Sequence, residues 1–195
     1  MSVILRNGVE IADPLFVVLP VAEARWAYDV TATPPASFGE PDLRLANRGG
    51  ARISGAQIAA VLERQRAIER ALRGIPSGAS LTSRSVPWAS LGQLFEGFAG
   101  IRGLGFSKMT KTLHRKRPAL IPILDSVVHH HLADDDPGEA AAFGARALSL
   151  VRGYKRDLDR NRAALRAVRG ELRARGHDLT EVRILDLLIW YVEAG

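Results

Sequence analysis

Apolar residues recur every three or four positions along most of the chain beyond residue 50, a spacing that places them on one face of an α-helix. Ser54 is a suitable N-cap for the first such segment, and Gly74 and Gly78 are expected to end it. The last segment is so apolar that we expect a buried closing helix. The pattern predicts helices over residues 54–73, 90–98, 106–116, 138–154, 157–175 and 179–194, with another directly after Asp125. The sequence therefore predicts an all-α protein.

The first 50 residues lack this periodicity. Asn7-Gly8 lies between the apolar residues 3–5 and 9–11, and this dipeptide suits the turn of a short β-hairpin. Several prolines come after it and are expected to prevent any long helix: Pro14, Pro20, Pro34, Pro35 and Pro41. We predict loops, a short hairpin and one helix near residues 22–28.

The expected organisation is one compact unit. A chain of 195 residues with 47% hydrophobic content can bury one core, shared at most between two small lobes. We divide it into an irregular segment, residues 1–50, packed on a helical domain, residues 51–195. The sequence has no apolar run of about 18 residues and no secretory leader, so we expect a cytoplasmic protein without membrane contact.

Composition excludes several kinds of site. The chain has no cysteine, which removes disulfides, thiolate metal sites, iron–sulfur clusters and cysteine nucleophiles. His129, His130 and His131 are adjacent, so on a helix they point about 100° apart and cannot converge on one metal ion. We therefore expect neither a metal nor a cofactor.

The positive charge is concentrated in one short stretch. The formal net charge is +6, and the excess lies beyond residue 50. Residues 102–117 hold six basic side chains and no acidic one: Arg102, Lys108, Lys111, Arg115, Lys116 and Arg117. Such a density suits neutralisation of a nucleic-acid backbone, and the alternative is a solvated helix face that happens to be basic.

Within residues 98–116, Gly103 and Gly105 separate two short helices with apolar faces. This arrangement is typical of a helix-hairpin-helix motif. Glycine permits a positive φ at the reversal, and its missing side chain lets a phosphate approach the N–H groups that begin the next helix. An ordinary turn between two helices also favours glycine and stays open as the alternative.

The segment from Gly103 to Asp125 resembles the signature of the helix-hairpin-helix (HhH-GPD) DNA glycosylase superfamily. It reads Gly-Leu-Gly-Phe-Ser at 103–107 and Pro-Ile-Leu-Asp at 122–125, with Asp125 eighteen residues after Ser107. The adenine-specific branch looks most similar. Residues 116–125 are also similar to uncharacterised bacterial proteins with a Lys-Arg-Pro-x-Leu-Ile-Pro-x-x-Asp stretch.

The resemblance implies a two-lobed helical fold with Asp125 as the catalytic carboxylate. Bifunctional members carry a lysine where this chain has Ser107, so the resemblance implies a monofunctional enzyme. Members of the adenine-specific branch use a second acid early in the chain, for which Asp29, Glu40 and Asp42 are candidates by order alone.

Chemistry gives Asp125 two alternative roles. Cleavage of an N-glycosidic bond builds positive charge on the sugar, and a nearby carboxylate stabilises that charge or activates water. Aspartate after a proline-rich turn is also a preferred N-cap, here for a helix beginning at Ser126. One side chain is able to serve both purposes.

Other features have a structural interpretation beside a functional one. The aromatic residues Trp26, Tyr28 and Trp88 are interpreted as core residues or as platforms for bases. Arg183 and Asp186, three positions apart in an apolar helix, predict a buried ion pair. Four arginines at helical spacing predict a solvated face or phosphate contacts: Arg162, Arg166, Arg169 and Arg173.

These features support three hypotheses for function. The first is a DNA glycosylase-like enzyme that removes a modified or damaged base, the second a non-catalytic nucleic-acid-binding module on the same fold, and the third a helical protein that binds other partners. The first two share DNA, or RNA, as the partner of a chain that we expect to be a monomer. The residues predicted to contact it are Gly103, Gly105, Ser107, Lys108, Lys111, Arg115, Lys116 and Arg117.

Overall fold

The computed structural model describes residues 2–194 and confirms the all-α class. In that range, the only strands are β1 (Val3–Ile4) and β2 (Glu10–Ile11), which form an antiparallel hairpin in which Val3 pairs with Ile11. The helices are α1 (Pro14–Glu23), α2 (Ala27–Val30), α3 (Glu40–Arg48), α4 (Gly55–Leu62), α5 (Gln65–Arg73), α6 (Trp88–Glu96), α7 (Phe106–His114), α8 (Ser126–His131), α9 (Phe143–Arg160), α10 (Arg162–Ala174) and α11 (Glu181–Glu193), with a 3₁₀ turn at Ala133–Asp135.

The predicted hairpin is present, but the first segment also holds three helices, α1, α2 and α3, where we expected loops and one helix near residues 22–28. That range instead includes the break between α1 and α2. α1 and α3 both occur there, and each has a proline in its first turn, Pro14 or Pro41. Proline is tolerated at this position because the first N–H groups of a helix have no partner within the helix. Pro20 lies inside α1 and removes one backbone hydrogen bond, to the carbonyl of Phe16, a residue on the exposed side of the helix.

Two predicted helix boundaries also differ from the structure. The first long helix is divided between α4 and α5 near Arg64, whose guanidinium donates to the carbonyls of Gly97 and Ala99. α9 begins at Phe143, continues past Tyr154 and ends at Arg160, with Asn161 as its C-cap. The Asn161 side chain pairs with the backbone N–H and C=O of Ile4, at 2.8 and 2.9 Å. This contact joins the N-terminal hairpin to the start of α10.

One large apolar core runs through the molecule. It includes Val3 and Leu5 from the hairpin and extends to Ile189 in α11, so the N-terminal segment packs on the helical body. α6 packs along α9, and α11 lies against α1, α8, α9 and α10. No helix in the described range is long and apolar enough to span a bilayer.

Two cations of the predicted basic stretch are buried, which corrects the expectation that they face nucleic acid. Lys116 is 3% exposed, and its ammonium lies 2.5 Å from the Asp42 carboxylate and 3.0 Å from the Pro34 carbonyl. Arg117 is equally buried and donates to four backbone carbonyls, those of Pro35, Leu72, Ile75 and Lys116. Both side chains fasten the connection between α7 and α8 to the body.

Replacement of Arg117 by methionine is therefore expected to lower the free energy of unfolding by about 3 kcal/mol, because buried carbonyls lose their donors. Arg166→Met is the matched control, since Arg166 is exposed on α10 and bonds to no other described residue. Urea denaturation measures both. Equal unfolding midpoints would show that Arg117 does not brace this connection.

Candidate functional site

A cavity of about 460 Å³ opens between α1, α2, the end of α3, α7 and α11. Its walls are mostly apolar, and four of the lining side chains are aromatic: Trp26, Tyr28, Trp190 and Tyr191. Trp26 and Trp190 remain 54% and 44% exposed, although tryptophan is a residue that proteins usually bury. The cavity is therefore partly open, and because four aromatic side chains line it we call it the aromatic pocket.

Asp125 is the only acidic residue that lines the aromatic pocket. It begins α8, and its Oδ1 accepts a hydrogen bond from the backbone N–H of Val128 at 3.1 Å, which confirms the predicted N-cap. Its Oδ2 accepts from the indole N–H of Trp190 at 2.8 Å. The carboxylate is 7% exposed, and within the described residues no cation lies within salt-bridge distance of it. Two N–H groups thus orient an acid that has no paired charge.

Lys111 brings a cation to the same pocket from α7. It is half-buried, and loss of solvent lowers the pKa of its ammonium, while the charge of Asp125 acts in the opposite direction. Tyr28 fixes this part of α7 by donating its hydroxyl to the Lys111 carbonyl at 2.7 Å. The Lys111 ammonium itself donates to no other residue of the described chain. Arg48 adds a second, exposed cation at the rim.

The layer beneath the pocket is buried and polar. Arg183 pairs with both carboxylate oxygens of Asp29, at 2.9 and 3.0 Å, so the predicted pair of Arg183 with Asp186 is wrong. The long guanidinium side chain reaches α2 instead of turning along its own helix. Asp186 accepts a hydrogen bond from the N–H of Ile123 at 3.3 Å, and burial raises the pKa of its carboxyl to about 8 despite the nearby charge of Arg183.

His114 belongs to the same layer and is uncharged. Burial lowers the pKa of its imidazole to about 3. Its Nδ1 lies 2.7 Å from the carbonyl of Ile121, and because a carbonyl only accepts, Nδ1 carries the proton. The ring stacks with Tyr28 at a centroid distance of 6.2 Å. His114 therefore packs beneath the pocket and adds no charge to it.

The turn that holds Gly103 and Gly105, here called the glycine hairpin, directly precedes α7, the helix that carries Lys111. Gly103 has φ +71°, and a Cβ atom there would lie 2.8 Å from the Gln57 side-chain nitrogen, so the position requires glycine. Gly105 precedes α7, and a Cβ atom on it would meet nothing within 4 Å. The backbone at Gly105 therefore leaves room for a phosphate to approach the start of α7.

Gln57 of α4 braces the hairpin from its other side. Its nitrogen donates to the carbonyl of Arg102 at 3.0 Å, and its oxygen accepts from the Lys108 ammonium at 2.8 Å. Lys108 and Lys111 are one turn apart on α7, and the loop that carries Gly50 and Arg52 approaches Lys111. The hairpin and the aromatic pocket are thus joined along one face of α7.

Of the eight predicted nucleic-acid contacts, the structure brings only some together. Gly103, Gly105, Ser107, Lys108 and Lys111 lie along that face. Arg115 does not, because it donates to the carbonyl of Thr31 at 2.8 Å and lies over the Tyr28 ring. Lys116 and Arg117 are buried against the body. The exposed arginines Arg48 and Arg52, which our sequence reasoning missed, flank a Gly-Gly pair that could have drawn attention to them.

Only some of the predicted aromatic site residues line the pocket, and none of the three early acids does. Trp26 and Tyr28 line the pocket, whereas Trp88 begins α6 away from it and lies under Arg152. Each of the three early acids is paired elsewhere: Asp29 with Arg183, Glu40 with Arg44 and Asp42 with Lys116. No metal-binding cluster occurs among the histidines and acids of residues 2–194.

Comparison with known proteins adds one family relationship. A model of the family described as "Family of unknown function (DUF6308)" matches residues 36–193. The chain belongs to the DUF6308 family. Searches of curated proteins and of solved structures found no match. The part matched by DUF6308 contains Asp125, Lys111 and Trp190, whereas Trp26 and Tyr28 lie before it, so the pocket is completed by a wall outside the matched range.

The buried carboxyl of Asp186 predicts a pH dependence of stability. Its folded pKa of about 8 exceeds the ordinary value near 3.8, so between these values the folded state holds more protons than the unfolded state. The free energy of unfolding is therefore expected to fall, by about 1 kcal/mol per pH unit, as pH rises from 5 to 8.

Asp186→Asn, which titrates in neither state, is expected to remove most of this slope, whereas Asp134→Asn at an exposed position is expected to keep it. Urea denaturation at pH 5, 6, 7 and 8 measures the slope. A wild-type slope that Asp186→Asn leaves intact would refute the assignment.

Proposed function

We propose that this chain is a DNA-binding enzyme of the DNA glycosylase type, which cleaves the N-glycosidic bond of a modified or damaged base without a covalent lysine intermediate. A helix-hairpin-helix glycosylase fold is part of the proposal. The observation that carries it is an oriented carboxylate without a paired cation, Asp125, in a pocket with aromatic walls. The fixed hairpin on the same face of α7 supports it.

The pocket suits an unstacked nucleotide base. Aromatic side chains stack on any base, and four of them line a cavity of about 460 Å³, a volume in the range of small-molecule sites. A base inside a duplex is inaccessible to a carboxylate, so the target nucleotide must leave the stack before reaction. The exposed faces of Trp26 and Trp190 provide surfaces on which such a base would be held.

Asp125 supplies the electrostatic part of the reaction. As the bond between sugar and base breaks, positive charge develops on the sugar, and a fixed carboxylate in a partly dry pocket stabilises it. The N–H groups of Trp190 and Val128 hold the carboxylate in place before the substrate arrives. The early acids are paired elsewhere, so Asp125 performs this role without a second carboxylate in the pocket.

The hairpin supplies the backbone contact. Gly105 is exposed and leaves room for a phosphate to approach the start of α7, and the exposed Arg102 and Arg52 add positive charge that attracts a phosphate backbone. Gln57 holds this surface at a fixed position relative to Lys111. A phosphate bound there would lie on the same face as a base in the pocket.

A non-catalytic nucleic-acid-binding module on the same fold is the second candidate. The observation that favours it is that both Asp125 oxygens accept N–H groups, which is sufficient to explain the residue as a helix cap. In that case the aromatic pocket would hold a base without cleaving it. Removal of the Asp125 charge would therefore abolish base release if the protein is the enzyme. The binding module has no such activity to lose.

Asp125→Asn is expected to reduce base release by at least about 100-fold, because the charge that stabilises the sugar cation is lost. The fold should persist, since asparagine is an equally good N-cap. Release is measured on a panel of duplex and single-stranded DNAs, each with one damaged or modified base. Trp190→Phe, which keeps a ring but removes the N–H donor, is expected to give an intermediate loss.

The outcomes separate the candidates. If the wild type and Asp125→Asn release the base equally fast, the proposed role of Asp125 is contradicted. Salt-sensitive binding without any release favours the binding module. If the wild type neither releases a base nor binds nucleic acid in a salt-dependent way, both candidates fail.

Arg102→Met is expected to weaken DNA binding and to reduce the slope of log K against log salt by about one, because one phosphate contact is lost. Arg84→Met, at an exposed position in the loop before α6, is the control and should change neither value. Fluorescence anisotropy over a salt series provides the measurement. Equal slopes for the wild type and both variants would exclude the hairpin as the backbone contact.

A further inference from the structure

We propose that the aromatic pocket selects a nucleobase whose edge presents carbonyl oxygens over one that presents amino groups. This inference rests on the proposed function, because it assumes that the pocket holds a base. Its basis is the kind of polar group that the pocket offers: two of the cationic donors in its lining lack partners among the described residues, whereas its one carboxylate already has two.

The donors come from Lys111 and Arg48. Ammonium and guanidinium groups donate hydrogen bonds and never accept them. Neither side chain donates to another residue of the described chain, although Lys111 is half-buried. The third cation in the lining, Arg183, is fully engaged with Asp29. A base that reaches Lys111 therefore meets a donor without a partner.

Acceptor side chains in the lining are fewer, and those present already make hydrogen bonds. Asp125 accepts from Trp190 and from Val128, and the Tyr28 hydroxyl donates to the Lys111 carbonyl. An amino group directed at Lys111 would place two donors face to face. A site with buried polar groups rejects such a ligand strongly, because the groups lose water without replacement.

The burial of Lys111 increases the difference in binding between a base with a carbonyl oxygen and a base with an amino group. Lys111 is half-buried in the pocket wall, so its ammonium is partly deprived of water, and this loss of solvent lowers its pKa. A carbonyl oxygen of a bound base would replace the missing acceptor. An amino group would not, so the cost of burying the ammonium would remain.

Bases that carry a carbonyl oxygen in place of an amino group are the products of hydrolytic deamination. Hydrolytic deamination replaces the exocyclic amino group of a base by a carbonyl oxygen and releases ammonia, which converts adenine to hypoxanthine and cytosine to uracil. The two members of each pair have nearly the same shape and differ at the exchanged group and its adjacent ring nitrogen. A pocket of this chemistry would recognise the products of deamination.

The test uses tryptophan fluorescence in a Trp88→Phe background. Of the three tryptophans, Trp26 and Trp190 line the pocket, so the remaining emission reports on it directly. The ligands are the matched pairs 2′-deoxyinosine with 2′-deoxyadenosine, and 2′-deoxyuridine with 2′-deoxycytidine. The carbonyl member of each pair is expected to bind about 10-fold more tightly, the factor that one hydrogen bond to a charged group gives.

Two variants assign the preference to Lys111. Lys111→Met, of similar length but without charge, is expected to reduce the preference within each pair to less than about 3-fold. Lys111→Arg, which keeps a cationic donor, is expected to retain part of it. Thermal denaturation of each variant checks that the fold is intact.

The inference would be overturned if both members of each pair bind equally, if the amino members bind more tightly, or if none of the four nucleosides binds. A preference that survives in Lys111→Met would also overturn it. The base-release panel keeps this test separate from the proposed function. Selective binding without release would support the inference and contradict the enzyme. Release of adenine as fast as hypoxanthine would support the enzyme and overturn the inference.

Discussion

The buried guanidinium of Arg117 is the interaction on which the arrangement of the site depends. It satisfies carbonyls from three separate parts of the chain and so fixes the connection that leaves α7 and enters α8. Lys116 adds a second buried anchor to the same connection through Asp42. Lys111 precedes these anchors and Asp125 comes after them. The anchored connection between α7 and α8 therefore sets the distance between these two charged side chains.

Charge inside the pocket is sparse, and each charged group has a distinct environment. Asp125 is oriented by two N–H donors, Lys111 is half-buried without a hydrogen-bond acceptor among the described residues, and Arg183 is neutralised by Asp29. Below them the Asp186 carboxyl and the His114 ring are buried deeply enough to favour their uncharged forms. The field in the pocket therefore comes mainly from Asp125 and the two cations, against apolar and aromatic walls.

Local patterns in the sequence predicted the local structure well. Hydrophobic periodicity located the helices of the body, Asn7-Gly8 located the hairpin, and aspartate after a proline-rich turn located the start of α8. The helices α1 and α3 were not predicted because the prolines were expected to prevent any long helix, whereas Pro14 and Pro41 occupy first turns and α1 continues through Pro20. The burial of Lys116 and Arg117 was not predicted for another reason, since these two side chains find their partners only when residues 34–42 and the end of α5 fold against them. The pairing of Arg183 with Asp29, and the wall formed by Trp26, likewise depend on contacts far apart in the chain.

A crystal structure of the chain bound to a DNA duplex with one hypoxanthine nucleotide, in the Asp125→Asn form, would test the central claim most directly. The account predicts that the nucleotide lies outside the helix with its base against Trp26 and Trp190. The side chain at 125 should then lie about 3.5 Å from the sugar carbon that carries the base, and the flanking phosphate should contact the start of α7. DNA bound on another face of the molecule, or a base that leaves the aromatic pocket empty, would contradict it.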